Sequence, residues 1–340
     1  MTLKALSEKA GLGFRLTREE AHGALDALLD AATHDDERKA FLTAMNGRLP
    51  SADELTGLAE GLRAKAVPLP PVSRAPLLDT CGTGGDGLST VNLSTAAAFV
   101  AAGAGAAVAK HGNRAVSSKS GSADVLEALG VPVDLGPEEA ARALERSGFV
   151  FLFAPRYHPA LAAVGPARKA LGVRTVFNLL GPLVNPALAR RQVVGVYEDA
   201  LLKTYAEVLL ALGAERALVV RGAEGLDELS VCGPTRVVHA DPAGGVRESL
   251  VNPEALGLVR RALSELAGGT AVQNAAIIVS VLEGAAGAVA DAVALNAAGA
   301  LVAGGLEETL VGGLKRARES FASGAARAAL EAARGARASA

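Results

Sequence analysis

The chain has 340 residues, half of them hydrophobic, with a formal net charge of −2 and no basic tract. This length is typical of two domains, or of one large domain with a small one attached. The near-neutral charge argues against a nucleic-acid-binding protein, and no apolar run reaches the roughly 18–20 residues of a membrane span without a charge or a glycine.

Composition also limits the kind of core and the compartment. Aromatic residues make up 3% of the chain and tryptophan is absent, so the core must be built from alanine, leucine and valine. Such a core suits helices packed tightly on a parallel sheet. The two cysteines, Cys81 and Cys232, fit neither a disulfide framework nor a metal-binding spacing. We therefore expect a cytoplasmic protein with reduced thiols.

The first 66 residues are predicted to be wholly helical. Residues 17–20 (TREE) and 51–54 (SADE) are capping-box helix starts, and leucines with helical spacing follow each of them. A stiff proline-rich stretch then runs over residues 68–76. We therefore expect a small helical domain over residues 1–68.

Beyond the proline-rich stretch, short apolar runs alternate with helical segments. The runs at 75–78, 106–109, 149–153, 192–197 and 217–221 are predicted strands, and 122–129, 137–146 and 200–212 are predicted helices. This alternation indicates a parallel sheet with right-handed crossovers. Residues 229–250 predict an antiparallel excursion, and the last 85 residues predict mostly helix. The fold class is therefore α/β, with a mainly parallel central sheet in a larger domain over residues 72–340.

A glycine-rich loop follows the first predicted strand of this domain. Residues 82–87 read GTGGDG, and a predicted helix begins near Asn92. Glycines allow a phosphate to approach the backbone closely, and a helix N-terminus favours an anion. Asp79 and Asp86 keep a plain surface turn open as an alternative, because carboxylates repel phosphate unless a metal ion or a sugar hydroxyl lies between them.

A second polar loop is predicted at residues 110–122, from the end of the strand at 106–109 to a helix start near Ser122. It contains cations, hydroxyls, an amide and glycines, which suit a multiply charged phosphoester. A solvated polar loop is the alternative. His111 could act as a general base, although a single histidine in a polar loop is more often a hydrogen-bonding residue.

Two further segments complete the set. Residues 178–186 (NLLGPLVNP) predict a rigid turn, and the adjacent carboxylates Asp227 and Glu228 follow the strand at 217–221. Magnesium takes one or two carboxylates together with phosphate oxygens and water. Beside two phosphate-binding loops, this pair therefore predicts a Mg²⁺ site, whereas alone it would be ordinary surface charge.

Taken in order, these segments resemble the anthranilate phosphoribosyltransferase family over essentially the whole chain. The resemblance rests on DTCGTGGD (79–86), KHGNRAVSS (110–118), NLLGPLVNP (178–186) and DE (227–228). Each is only suggestive alone, but the ordered set is specific. Val91 stands where the family often has phenylalanine, which puts no catalytic residue in doubt.

The resemblance implies transfer of a phosphoribosyl group from 5-phosphoribosyl 1-pyrophosphate (PRPP) to the amine of anthranilate. It assigns anthranilate to Gly82, Asn113 and Arg168, and Mg²⁺ to Ser94, Asp227 and Glu228. It assigns PRPP to Gly82, Gly85, Asp86, Thr90, Asn92, Leu93, Ser94, Thr95, Lys110, His111, Gly112, Asn113, Arg114, Ala115, Val116, Ser117, Ser118 and Ser122.

The resemblance also implies an architecture like that of nucleoside phosphorylases and phosphoribosyltransferases. A helical return around residues 157–180 would complete the helical domain and bring Arg168 to a cleft between the domains, and a homodimer would form through the helical domain. Because an aryl amine is already neutral at pH 7, it needs orientation more than deprotonation. We therefore expect no indispensable general base, with His111 as the best candidate if there is one.

Two other functions remain to be weighed. A pyrimidine nucleoside phosphorylase would share the architecture but should not need the carboxylate pair at 227–228. A related protein that binds nucleic acid in place of anthranilate would need a basic surface, which the net charge of −2 does not favour.

Overall fold

The computed structural model describes residues 1–115 and 119–337. The helices are α1 (Leu3–Gly11), α2 (Arg18–Leu29), α3 (Asp35–Asn46), α4 (Ala52–Ala64), α5 (Leu93–Gly103), α6 (Ser122–Ala128), α7 (Pro137–Ser147), α8 (Ala154–Tyr157), α9 (Gly165–Leu171), α10 (Phe177–Leu180), α11 (Leu201–Ala211), α12 (Ala271–Leu282), α13 (Ala288–Ala303), α14 (Leu310–Ala322) and α15 (Ala325–Arg334). The strands are β1 (Leu77–Gly82), β2 (Ala107–Gly112), β3 (Phe149–Phe153), β4 (Arg191–Gly195), β5 (Arg216–Gly222), β6 (Thr235–Asp241) and β7 (Gly245–Val251).

The N-terminal helices form a compact layer of their own. Thr17 and Ser51 start α2 and α4 with the capping boxes that the sequence predicts. Helix α2 packs against α4, and α1 packs against α3. Gly57 allows the first pair to approach closely, because a Cβ atom there would collide with the carbonyl oxygen of Arg18. The buried faces of these helices continue into one apolar cluster with α10, α11 and one face of the sheet.

The central sheet has the strand order β3-β2-β1-β4-β5-β6-β7. The first five strands in this order are parallel, and β6 and β7 pair antiparallel. One face is covered by α5 and the C-terminal helices, and the other by α7, α11 and the helical layer. The predicted α/β fold, with a small helical part and a mainly parallel sheet, is confirmed.

Two strands extend further than their apolar runs. Strand β1 continues to Gly82, paired with β4 up to Gly195, and β2 continues to Gly112, paired with β3 up to Phe153. The prediction of a loop from residue 110 onward was therefore wrong for Lys110, His111 and Gly112. Parallel ladder hydrogen bonds hold these polar residues in strand geometry although hydrophobic patterning does not mark them.

The order in which strands are added to the sheet reverses beside β1. From β1 the chain proceeds to β2 and β3 on one side, and β4 and β5 lie on the other. In open α/β sheets, ligands bind outside the carboxyl ends of the strands at such a switch point. This places a candidate site where Gly82 and Gly195 end their paired strands. Among the described residues, no helix combines the length and apolarity needed to cross a bilayer.

The segment between β3 and β4 returns to the helical layer. Helix α8, a 3₁₀ segment at Pro159–Val164, α9 and α10 follow one another, and α9 packs against α3. Arg174, after α9, accepts a hydrogen bond at its backbone oxygen from the Asn46 amide, 2.7 Å away. Residues of this return therefore line a cleft between the helical layer and the sheet.

Candidate active site

The glycine loop lies directly on the carboxylate of Asp227. A Cβ atom on Gly82 would come within 2.7 Å of Asp227 Oδ2, and the backbone N–H of Gly84 donates to that oxygen over 3.1 Å. Gly84 and Gly85 have φ angles of +63° and +85°, which only glycine adopts readily. Glycines are therefore required both for the turn and for the close approach to Asp227.

The first turn of α5 meets the second carboxylate of the pair. The backbone N–H of Ser94 donates to Glu228 Oε1 over 3.1 Å. Asn92 is the N-cap residue, and its side chain makes no capping hydrogen bond, which leaves it available for other contacts. The side chains of Leu93 and Thr95 are buried. Any contact of these two residues with a ligand would therefore come from their backbone.

The carboxylates of Asp227 and Glu228 retain partial solvent exposure, but protein surrounds them closely. Burial and, to a smaller extent, the charge of Asp227 raise the pKa of Glu228 to about 8. Burial and the neighbouring Asp86 also raise the pKa of Asp227. A bound cation would favour the ionised forms of both groups. Within residues 1–115 and 119–337, no group of three or more histidine, cysteine or carboxylate side chains is placed to hold a metal.

Asn296 of α13 fixes the chain immediately after this pair. Its Oδ1 accepts from the N–H of Leu229 over 3.0 Å, and its Nδ2 donates to the carbonyl of Leu229 over 2.9 Å. Both hydrogen bonds are buried. The backbone that carries Asp227 and Glu228 is therefore anchored from the helical face of the sheet.

Lys110 lies beneath the glycine loop and the first turn of α5 and not on their surface. Its side chain is buried, and Nζ donates to the carbonyl of Thr80 and to Ser94 Oγ, the latter over 3.4 Å. Its positive charge lowers the pKa of both Asp79 and Glu228, opposing the larger effect of burial. In this structure Lys110 therefore balances buried carboxylates.

The loop after β2 is partly committed to α6. Arg114 forms a two-pronged ion pair with Glu127, with both distances 2.6 Å, and also contacts Asp124. The N–H of Ala115 donates to Asp124 Oδ2, and Ser122 Oγ donates to the carbonyl of Asn113. Arg114 would have to leave Glu127 to bind a phosphate. Val116, Ser117 and Ser118 lie outside the described residues.

A cavity of about 220 Å³ adjoins Gly82 on the side of the helical layer. Its lining includes Cys81, Gly82, Asn113, Arg168 and Phe177. The Arg168 guanidinium stacks over the Phe177 ring, 5.4 Å from the ring centroid. Within the described part of the chain, this guanidinium makes no hydrogen bond or ion pair, and burial lowers its pKa. An unpaired guanidinium in a small cavity is suited to a ligand carboxylate.

Two buried histidines also line this cavity. His111 Nδ1 donates to the carbonyl of Gly181 over 2.9 Å, and His158 Nε2 donates to that of Val184 over 2.8 Å. Burial lowers the pKa of His111 to about 3 and that of His158 to about 4. Both rings are therefore neutral at pH 7. Among residues 1–115 and 119–337, His111 Nε2 and His158 Nδ1 have no hydrogen-bond partner, and as unprotonated ring nitrogens they can act only as acceptors.

The predicted rigid turn at residues 178–186 supplies these carbonyls. Asn185 within it is buried and donates to Asp79 Oδ2 over 2.8 Å and to the carbonyl of Ala109 over 2.7 Å. Asp79 also accepts from the backbone N–H of His111 over 3.2 Å. The turn, β1 and β2 are thus joined by one buried carboxylate.

The structure brings together most of the residues that the sequence singles out. The glycine loop, Ser94, Asp227 and Glu228 lie on one side, and Asn113, His111 and Arg168 line the adjoining cavity. Sequence reasoning missed His158, whose surroundings in the chain carry no motif. Four larger openings in the described structure, of about 480, 490, 420 and 390 Å³, are not lined by any of these residues.

Comparisons with known proteins identify the family. Residues 4–66 match the family described as "Glycosyl transferase family, helical bundle domain", and residues 74–327 match "Glycosyl transferase family, a/b domain". The chain is 49% identical over 330 residues to the anthranilate phosphoribosyltransferase of Moorella thermoacetica, covering 97% of each protein. It is 52% identical over 315 residues to that of an Anaeromyxobacter strain, covering 93% of each.

Solved structures agree as well. The anthranilate phosphoribosyltransferase of Thermus thermophilus superposes with a TM-score of 0.91 at 46% identity, covering 97% of this chain and 98% of that one. The Saccharomyces cerevisiae enzyme, in complex with PRPP and Mg, gives a TM-score of 0.90 at 29% identity, covering 99% and 98%. With such similarity over nearly its whole length, the chain belongs to the anthranilate phosphoribosyltransferase family.

Proposed function

We propose that this chain transfers the phosphoribosyl group of PRPP to the amine of anthranilate, giving N-(5-phosphoribosyl)anthranilate and pyrophosphate in tryptophan biosynthesis. The observation that carries this proposal is the placement of Arg168. Its unpaired guanidinium lines a small cavity that opens beside Gly82, and the glycine loop reaches Asp227 from the same point. A carboxylate-bearing acceptor and a phosphorylated donor could therefore meet at this strand end.

On the donor side, backbone N–H groups of the glycine loop and the first turn of α5 would bind phosphate oxygens. Ser94, Asp227 and Glu228 would hold Mg²⁺, because two carboxylates completed by phosphate oxygens form a common magnesium site. When bound, the ion would neutralise charge on the pyrophosphate leaving group. The raised pKa values of Asp227 and Glu228 support this assignment, as does the binding of PRPP and Mg by the related yeast enzyme.

On the acceptor side, Arg168 would bind the anthranilate carboxylate and so orient the amine toward the ribose. The amine nitrogen forms a bond to C1 of the ribose while the bond from C1 to the pyrophosphate oxygen breaks, and the nitrogen then loses a proton. The neutral His111 ring, with a free lone pair on Nε2, could accept a hydrogen bond from the amine. Orientation and charge stabilisation supply the catalysis in this scheme.

The test is a fluorescence assay of anthranilate consumption with PRPP and MgCl₂. We expect consumption that requires both PRPP and Mg²⁺, with formation of pyrophosphate. Phosphorolysis of thymidine or uridine without anthranilate consumption would instead support the pyrimidine nucleoside phosphorylase alternative. The curated relatives at 49% and 52% identity support the transferase and not that alternative.

We also propose that the chain is a cytoplasmic homodimer that associates through its helical layer. Leu12, Phe14 and Leu49 of this layer are exposed apolar residues, with exposed fractions of 76%, 62% and 37%. The backbones of Phe14 and Leu49 are joined through Arg48 and Arg15, so these side chains belong to one region. Light scattering should give twice the chain mass for the native protein, and Phe14→Glu should reduce it. A monomeric native protein would contradict the proposal.

A further inference from the structure

A buried asparagine lies in the mostly apolar helix α12. Asn274 is only 2% exposed, and it is not among the residues that the family pattern assigns to a substrate. A buried amide without partners would cost free energy, so such groups are nearly always hydrogen-bonded. The partners of Asn274 therefore show what it does in the fold.

These partners link α12 to the residue that caps α5 and to the loop that precedes α6. Asn274 Oδ1 accepts from the backbone N–H of Gly269 over 2.7 Å, and its Nδ2 donates to Asn92 Oδ1 over 2.9 Å. Asn92 Nδ2 in turn donates to the carbonyl of Ser120 over 3.2 Å. The side chains of Asn274 and Asn92 thus form a relay from the start of α12 to the loop that precedes α6.

The direction of this relay is fixed at both ends. The N–H of Gly269 can only donate, and the carbonyl of Ser120 can only accept. Both amides are therefore held in a single orientation, and the Asn92 amide cannot turn over without losing a hydrogen bond at each end.

The residues just before α12 also form backbone hydrogen bonds with the chain just before Asn92. Thr90 and Ala267 form an antiparallel bridge. Its hydrogen bonds run from the N–H of Val91 to the carbonyl of Leu266 over 3.0 Å, and from the N–H of Gly268 to that of Ser89 over 2.9 Å. Hydrogen bonds from residues 266–274 therefore fix the backbone conformation of residues 89–92.

We propose that Asn274 is a positioning residue for PRPP, acting through Asn92 and the loop at Ser120. This inference rests on the proposed function, because it takes Asn92 and Ser122 as parts of the PRPP site. In this proposal Asn274 acts on PRPP only through these neighbours and not by direct contact. It fixes the orientation of the Asn92 amide, and through it the position of Ser120 relative to the start of α5, before PRPP binds.

The substitution Asn274→Asp separates this role from simple structural support. The introduced carboxylate is nearly isosteric and can still accept from Gly269, but it cannot donate to Asn92 Oδ1. Two acceptors would then face each other, and the Asn92 amide would have to turn over and lose its hydrogen bond to Ser120. Asn274→Ala is the second variant, which removes the relay without adding charge.

The control is Ser320→Ala. Ser320 is also a buried polar residue of a C-terminal helix, and its Oγ donates to the carbonyl of Val100 in α5, over 3.0 Å. That hydrogen bond lies far along α5 from the donor loops. Its loss should lower stability without changing PRPP binding.

The experiment combines steady-state kinetics with calorimetric titration of PRPP in the presence of Mg²⁺. For both Asn274 variants we expect the KM and Kd for PRPP to rise about tenfold, equivalent to about 1.4 kcal/mol, with the KM for anthranilate within about twofold of wild type. In an Asn92→Ala background, Asn274→Asp should then change PRPP affinity by less than about twofold, because the relay is already broken.

The contrary outcomes are distinct. If folded variants bind PRPP as the wild type does, or if Ser320→Ala weakens PRPP equally, Asn274 has no positioning role. If the wild type transfers nothing to anthranilate, the proposed function fails, while the calorimetric comparison of PRPP binding still decides the role of Asn274.

Discussion

The donor side of the cleft is formed by the glycine loop, the first turn of α5 and the pair Asp227 and Glu228. Its side chains that matter most are these two ionisable carboxyl groups. The acceptor cavity, lined by His111, His158 and Arg168, holds neutral imidazole rings and the Arg168 guanidinium, which has no ion-pair partner in the part of the chain that the structure describes. On the donor side, burial disfavours the charged carboxylates and raises their pKa values. A bound cation would favour the charged forms and lower these pKa values. In the cavity, burial keeps the imidazoles uncharged, so that among the described lining residues only Arg168 carries a charge. The donor side is thus suited to charge stabilisation and the cavity to orientation.

Removing the carboxylates of the donor side should give the largest effect. For the double variant Asp227→Asn, Glu228→Gln we expect kcat/KM to fall at least about 100-fold, because a bound metal ion supplies several kcal/mol of charge stabilisation. Initial rates over a Mg²⁺ titration measure it. Glu215→Gln, a surface carboxylate before β5 that pairs with Arg190, is the control. If the double variant showed the same Mg²⁺ dependence as the wild type, the assignment of the metal to Asp227 and Glu228 would be wrong.

The next largest effect should come from the charged group of the acceptor cavity. Arg168→Ala should raise the KM for anthranilate by about 10- to 100-fold, since hydrogen bonds to charged groups contribute about 1.5–3 kcal/mol. The KM for PRPP should stay within about twofold. Arg168→Lys should recover only part of the loss, because lysine cannot bind a carboxylate bidentately.

The exposed neighbour Lys169 provides the matched control, and Lys169→Ala should behave as the wild type. A rise in the KM for PRPP equal to that for anthranilate would show that Arg168 supports the whole cleft. The division between a donor side and an acceptor side would then not hold at this residue.

Local patterns in the sequence were sufficient to predict the fold and the main motifs, but not the contacts between distant segments. The capping boxes, β3 and the antiparallel β6–β7 pair follow from periodicity and turn residues that lie close together in the chain. The contact of Asn274 with Asn92 and that of Asn185 with Asp79 join residues more than 100 positions apart. No local pattern marks such pairs, because only the folded topology creates them.

The same reason explains where the predicted site and the structure differ. The composition of the 110–122 segment predicts a cationic phosphate loop. Sheet pairing instead draws Lys110 into the interior, and Arg114 finds Glu127 on α6. The assignment of substrate residues therefore stays a prediction. It has the least structural support for Lys110 and Arg114, because both side chains already pair with protein groups.

The neutral histidines of the acceptor cavity should be visible in the pH dependence of stability. The pKa of His158 falls from 6.5 to about 4 on folding. Its contribution is therefore present above pH 6.5 and is lost as the pH falls from there toward 4, because the unfolded chain takes up the proton first. Between pH 7 and pH 5 the loss should be about 2 kcal/mol.

Urea unfolding at the two pH values measures this loss. His158→Asn should reduce the pH-dependent difference in the free energy of unfolding by about 2 kcal/mol relative to the wild type. The subtraction isolates His158 from the carboxylates of the donor side. Equal pH dependence in wild type and His158→Asn would mean that the cavity tolerates a charged ring.

The smallest expected effect tests whether orientation alone is enough in the acceptor cavity. His111→Asn should lower kcat by less than about tenfold, because the aryl amine is already neutral and needs no base before it attacks. The lost acceptor at Nε2 should appear chiefly as a modest rise in the KM for anthranilate. A fall in kcat of about 10²–10⁴-fold, the scale of lost acid–base catalysis, would instead make His111 a general base. The acceptor cavity would then take part in proton transfer, and the contrast with the donor side would be one of degree.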